Sequence, residues 1–248
     1  MVLVSVALSS STAFADVGDF LLSVRNVTQS STSTIEFDLY LLDTDNTQTF
    51  EYSALQLGLL LNSSIYGSGT LTISYTNAGS GLDSEQQFVN LPDVVATLTG
   101  YPGKTLIRLM PNSIPPVPPG AGSGTVISST GIGTLLAHFI IENTVDFTAN
   151  SRAGLEFCSG TAVTPLYPTI LYSYINGDST PLPVIPETDA IVDGDPLLNA
   201  TLPVIYNVTG GGTYCQGDAG LPIGLDGSEL NTRSEERRVG KECRSRWA

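Results

Sequence analysis

Carboxylates are the first side chains in this sequence to weigh for chemistry. Glu36, Asp38, Glu142, Asp146 and Glu156 lie within or beside runs in which polar and apolar residues alternate. A glycosidase needs two carboxyl groups at a set separation across a sugar. Alternation with apolar residues instead places acids on the solvated face of a sheet. The single histidine, His138, sits inside LLAHFII and reads as a structural strand residue. No serine stands in a G-x-S-x-G elbow, because Gly79-Ser80-Gly81 and Gly122-Ser123-Gly124 have the wrong spacing. A nucleophile, a base and an orienting acid are therefore not found together, and no catalytic residue is assigned.

Metal chemistry is confined to loop oxygens. Zinc requires clustered Cys, His or carboxylate ligands, and Cys158 and Cys215 are isolated from any such spacing. Cys158 is expected to pack as a small apolar group. A Cys158–Cys215 disulfide remains open in an oxidising compartment. Asp43, Asp45 and Asn46, in D-T-D-N, and Asp193 and Asp195, in D-G-D, are candidate calcium ligands. Neither stretch continues as an EF-hand: the sixth and twelfth positions counted from Asp43 hold Gln48 and Ala54, where Gly and Glu are needed. No cofactor is expected, with calcium left possible. For ligand binding the candidates are Tyr172 and Tyr174, which share one strand face and could stack on a sugar. Cross-strand packing is the plainer role for that pair.

The elements that would position these groups have period two. Phe20, Leu22 and Val24 alternate with polar residues, as do Ile35, Phe37, Leu39 and Leu41, and Leu55 to Leu61 continue the pattern. Further strands are predicted at 70–75, 94–99, 105–110, 124–129, 134–142, 153–158 and 169–175. The best helical stretch, Ser84 to Val89, is about one turn. Some ten short strands without crossover helices imply an all-β antiparallel sandwich or jelly roll. Pro111 to Gly120 has five prolines in ten residues. It reads as a stiff surface connector, with a polyproline ligand as the alternative. The proline- and acid-rich run from Pro181 to Asp195 reads as the close of the sandwich and the start of a linker. Strand-like pieces resume at 204–208 and 221–225, too few to enclose a core.

Composition and termini bound the function further. Hydrophobic residues make up 41% of the 248 and charged residues 14%, and no apolar run is long enough to cross a membrane as a helix. Residues 1–15, MVLVSVALSSSTAFA, have an apolar core and a small-x-small site before Asp16, the pattern of a signal peptide lacking its basic start. A buried first strand is the alternative. The basic stretch RSEERRVGKECRSRW, residues 233–247, holds six of the ten Lys and Arg and the only tryptophan, Trp247. Outside it the chain has four Lys and Arg against 21 Asp and Glu, a net charge of −17. Such a body repels phosphate, so nucleic acid and anionic lipid are disfavoured as partners.

Three stretches carry resemblances. EFDLYLLDTDNTQTFEYSALQLGLLL, residues 36–61, with GSGTVISSTGIGTLLAHFIIEN further on, resembles cohesin-like modules of large secreted surface proteins exported by the type IX pathway. YNVTGGGTYCQGDAGLPIGLDG, residues 206–227, is similar to the first strands of immunoglobulin-like repeats in such proteins. The 233–247 stretch resembles the translation of a common sequencing adapter. These resemblances imply a signal peptide at 1–15, a cohesin-like or carbohydrate-binding sandwich at 16–199, a truncated Ig-like domain at 200–232 and a non-native tail at 233–248. They imply a non-catalytic, secreted, cell-surface module for adhesion or assembly that binds a protein partner. A carbohydrate-binding module of a polysaccharide-degrading protein is the second reading, and an enzyme in its own right the third.

Overall fold

Alternating apolar residues with few charges between them pair into two sheets that face each other. The computed structural model describes residues 19–45, 49–96, 98–111, 124–159, 167–175, 178–200, 206–212 and 221–227. The chain divides into two compact units, Met1–Ala200 and Thr201–Ala248.

Among its described residues the first unit has fourteen strands: β1 (Phe20–Ser31), β2 (Thr34–Asp43), β3 (Glu51–Asn62), β4 (Leu71–Thr76), β5 (Asp93–Val95), β6 (Lys104–Leu109), β7 (Thr125–Val126), β8 (Thr134–Asn143), β9 (Ser151–Arg152), β10 (Glu156–Phe157), β11 (Ile170–Ile175), β12 (Asp178–Pro183), β13 (Ala190–Val192) and β14 (Leu197–Leu198). One sheet has the order β13-β1-β2-β8-β4; the other has β12-β11-β3-β6-β5, with β10 and β7 also on β3. Among these strands every pairing is antiparallel except β1 with β13. The only helical element among the described residues is the single 3-10 turn Ser63–Ile65; Ser84 to Val89 is a turn and loop. The fold is an all-β antiparallel sandwich.

Period-two alternation explains the core. Leu22 and Val24, the β2 set Ile35, Phe37, Leu39 and Leu41, and Phe139 and Ile141 of β8 point inward from the first sheet. Leu55, Leu57, Leu59 and Leu61 of β3, Ile107 and Leu109 of β6 and Leu171 meet them from the second. Phe37 stacks on Phe139 with ring centroids 5.2 Å apart, and Tyr75 and Phe88 extend the aromatic cluster. Gln86, which is buried, donates from Nε2 to the Tyr52 carbonyl at 2.6 Å and accepts the Thr125 N–H at 2.7 Å. These bonds pin the 83–90 loop to the sandwich.

The Pro181 to Asp195 run closes the sandwich, as expected, but does not start a linker. It forms β12 and β13 and leads into β14. The prolines are tolerated because β12 is an edge strand, where missing donors face outward. β13 closes the first sheet by lying parallel to β1, with Leu22 opposite Ala190 and Val24 opposite Val192. Alternation over three residues between prolines and acids is too short to distinguish from a loop by sequence pattern. Several predicted strands are also shorter than expected: 94–99 contracts to β5, 124–129 to β7 and 153–158 to β10.

Within the second unit, Val208–Gly210 (β15) and Ile223–Leu225 (β16) form an exposed antiparallel hairpin. Residues 1–15, most of the Pro111 to Gly120 connector, Cys215, Cys243 and the 233–248 tail lie outside the described residues.

Candidate functional site

The two sheets present very different outer faces. On the first sheet the outward positions are Arg25 and Thr28 of β1, Glu36, Asp38 and Tyr40 of β2, His138, Ile140 and Glu142 of β8, and Thr72, Ser74 and Thr76 of β4. This face is polar and internally bonded. His138 lies between the two carboxylates of β2, with Nδ1 2.7 Å from Asp38 Oδ1 and Nε2 3.2 Å from Glu36 Oε2. Asn26, at a bulge with φ +54°, donates to the other Asp38 oxygen at 2.7 Å. Arg25 donates to Ser23 Oγ and to Asp193 Oδ2, the latter at 2.8 Å, which ties the end of β13 to β1. Burial, and then the Asp38 charge, raise the Tyr40 hydroxyl pKa. The histidine is thus a strand residue, as its apolar setting implied. Its carboxylate partners are legible in sequence only once β2 and β8 are known to be neighbours.

On the second sheet the ladder places apolar side chains outward. Ile170 pairs with Gln56, and the β3–β6 register carried one step past Leu57 and Leu109 sets Gln56 beside Met110. The β5–β6 register carried outward sets Met110 beside Leu91. Asn90 holds that corner closed by donating from Nδ2 to the carbonyls of Met110 and Pro111, at 3.3 and 2.9 Å. Leu91 is 84% exposed, Val89 71% and Met110 62%, the three most exposed large apolar residues of the first unit's described part. The next row is Gly58, Arg108 and Asp93. Arg108 donates from Nε and Nη2 to Asp93 Oδ2, at 3.0 and 2.6 Å, and its guanidinium lies 5.9 Å from the centre of the Tyr167 ring. Burial raises the Tyr167 hydroxyl pKa, Arg108 opposes the shift and Tyr172 adds to it. On the other side of the Ile170 row lie Ala54, Tyr172 and Pro181.

A second, smaller apolar cluster covers the remaining part of this face. Leu60, Leu106, Leu98 and Cys158 are buried there, with Val95, Tyr101 and Tyr167 against them. The backbone at Tyr167 crosses directly over Gly58, where any side chain would collide with the Tyr167 carbonyl. Thr169 locks that crossing, donating from Oγ1 to the Gly58 carbonyl at 2.8 Å and from N–H to the Cys158 carbonyl at 2.8 Å. Cys158 is a free thiol whose pKa is pushed up to about 11, by burial and then by the Glu156 charge. It packs as the small apolar group expected of it.

The remaining candidates do not assemble. Tyr172 is half-buried, but Tyr174 is buried with its hydroxyl unbonded, so the two do not form an exposed aromatic row. The Tyr174 ring is covered by the segment that leads into β7, where a Cβ on Gly124 would stand 2.7 Å from it. Asp43 is buried, and its carboxylate caps the loop that follows β2 by accepting the N–H of Asp45 at 3.1 Å and of Phe50 at 3.3 Å. Asp193 is taken by Arg25. Asp195 accepts the Gly154 N–H through its side chain and Arg152 through its carbonyl. Asn46 lies outside the described residues. Among the described residues no three His, Cys, Asp or Glu side chains are grouped to hold a metal ion. No described helix is long and apolar enough to cross a membrane.

No family model matches the chain, and no curated protein matches it. Some solved structures are similar. A cohesin module from a family 33 glycoside hydrolase of Clostridium perfringens is 12% identical with a TM-score of 0.33, over 71% of this chain and 98% of that one. The second type II cohesin module of the scaffoldin ScaA from Acetivibrio cellulolyticus is 9% identical with a TM-score of 0.33, over 76% and 99%. The endoglucanase CelQ of Clostridium thermocellum, in complex with cellotriose, is 11% identical with a TM-score of 0.34, over 58% of this chain but only 22% of that one.

Proposed function

We propose that the chain is a non-catalytic docking module that binds a folded protein partner through the outer face of its second sheet. The observation that supports this reading most is the contrast between the two faces. One sheet turns Glu36, Asp38, Glu142, His138 and threonines outward, whereas the other turns out Ile170, Tyr172, Met110 and Leu91 around a single Arg–Asp pair. Apolar side chains set around Gln56, with an aromatic and an arginine among them, are the usual composition of a protein interface.

Charge states what the partner's rim must be. All four cations of the first unit's described part are engaged: Arg25 with Asp193, Lys104 with Glu156, Arg108 with Asp93, and Arg152 with the Asp195 carbonyl. Acids outnumber them throughout, and the end of the docking face beyond Tyr172 carries Glu51. The partner is therefore a protein with an apolar centre and a basic rim, and its association slows as salt rises. The resemblance to cohesin-like modules of secreted surface proteins supports an assembly role outside the cell, with residues 1–15 as the export signal and 200–232 as the start of an Ig-like repeat. The carbohydrate-binding alternative loses its main support because Tyr174 is buried. Leu91→Glu with Met110→Glu should abolish partner capture while leaving the melting midpoint in place. Capture that survives both changes would refute the docking face.

A further inference from the structure

We propose that Met110 is a modification site: a hydroperoxide oxidises it to the sulfoxide and thereby weakens docking by the outer face of the second sheet. This inference rests on the docking reading above and adds its regulation. Met110 is the only methionine besides Met1. It is 62% exposed, directly after β6, between Leu91 on one side and Gln56 on the other. The only other sulfur among the described residues, Cys158, is fully buried. Peroxide reaching this surface thus meets one accessible sulfur, beside Leu91 on the docking face.

The backbone there is fixed independently of the side chain. Asn90 bonds the carbonyls of Met110 and Pro111, and the preceding Leu109 is buried in the core. Changing the Met110 side chain therefore alters the surface without loosening the sheet. In the reaction a sulfur lone pair attacks one oxygen of hydrogen peroxide. The S–O bond forms, the O–O bond breaks, and the departing hydroxide takes up the proton left on the transferred oxygen and is released as water. Sulfur is oxidised by two electrons and the peroxide is reduced. The product places a strong acceptor where the partner requires an apolar group, and methionine sulfoxide reductases can reverse it.

The test uses the full 248-residue chain, hydrogen peroxide and the neutral apolar dye Nile red. Peptide mapping should show a gain of about 16 Da, one oxygen, at Met110, at a rate close to that of N-acetyl-methionine amide. Nile red emission should fall on oxidation and should fall likewise in Met110→Gln. Met110→Leu should keep its emission after peroxide, and the melting midpoint should not move. Met110 surviving while the free amide is consumed would overturn the proposal, as would oxidation that leaves dye emission unchanged or lowers the midpoint. Leu91→Glu separates the two levels. If it also leaves emission unchanged, the apolar face itself does not bind and the docking reading fails. If it lowers emission while oxidation does not, only the regulatory inference fails.

Discussion

Adding one methyl group at position 58 probes how firmly the chain after β10 is held against the second sheet. A Cβ on Gly58 would stand 2.2 Å from the Tyr167 carbonyl oxygen and 3.0 Å from Cys158 Cβ. Ordinary contact begins near 3.4 Å, so the crossing backbone must retreat by about 1.2 Å. Both neighbours are backbone or a buried Cβ, and neither can swing aside as a long side chain could. The retreat strains the Thr169 bonds to the Gly58 carbonyl and the Cys158 carbonyl. Losing one or two hydrogen bonds costs about 1 kcal/mol each. Overpacking adds about 1–3 kcal/mol. Gly58→Ala should therefore destabilise the first unit by about 2–5 kcal/mol, which for a domain of this size lowers the melting midpoint by about 4–20 °C. Gly103→Ala is the control: its φ is +78° but nothing lies within 4 Å of the new Cβ. That change should cost only the left-handed backbone term, about 1–2 kcal/mol. Urea unfolding followed by tyrosine fluorescence measures both. A Gly58→Ala protein as stable as the parent would show that Tyr167 does not cross the sheet at this point, and the smaller apolar cluster would lose its cover.

Other consequences follow from the same geometry. Phe139→Ala removes a buried ring stacked on Phe37 and should cost about 3–5 kcal/mol, read from the shift in the urea midpoint at constant slope. Cys158 should resist iodoacetamide at pH 8 in the native protein and react fully in urea. Because burial holds its folded pKa at about 11, above the ordinary thiol range, the stability it contributes is complete below about pH 9 and falls as pH rises toward 11. Rapid native labelling at pH 8 would contradict that burial. Asp43→Ala strips a buried carboxylate from two backbone donors and should cost about 1.5–3 kcal/mol. Exchanging chelator for millimolar calcium should leave the midpoint unchanged, and a rise in calcium would revive the Asp43 and Asp193 loops as ligands.

The sandwich was legible in the sequence because alternation in β1, β2, β3, β6 and β8 runs for six residues or more against polar neighbours. What escaped is physically specific. β13 is three residues long and pairs in parallel with a strand some 170 positions earlier, a contact that leaves no local pattern. β12 carries prolines that argue against a strand unless its edge position is known. Tyr174 is buried by the approach of Gly124, a contact between residues fifty positions apart that leaves no local pattern. The docking face has a similar origin: Leu91, Met110 and Ile170 are scattered in sequence, and only the registers of β3, β5, β6 and β11 align them. His138 is the converse case. Its strand was evident, while its two carboxylate partners needed the β2–β8 pairing.

One comparison tests the docking face most directly. The full chain, its Leu91→Glu/Met110→Glu variant and a Ser74→Glu/Thr76→Glu variant on the opposite sheet are immobilised at equal density. Each is exposed to the secreted and surface proteins of the source cells, and bound species are identified by mass spectrometry. All three should melt together, since every changed residue is exposed. The account predicts a discrete partner with a basic surface that is retained by the parent and the Ser74/Thr76 variant and lost by the Leu91/Met110 variant. Retention by the Leu91/Met110 variant, or loss by the Ser74/Thr76 variant alone, would place binding on the other sheet and contradict it.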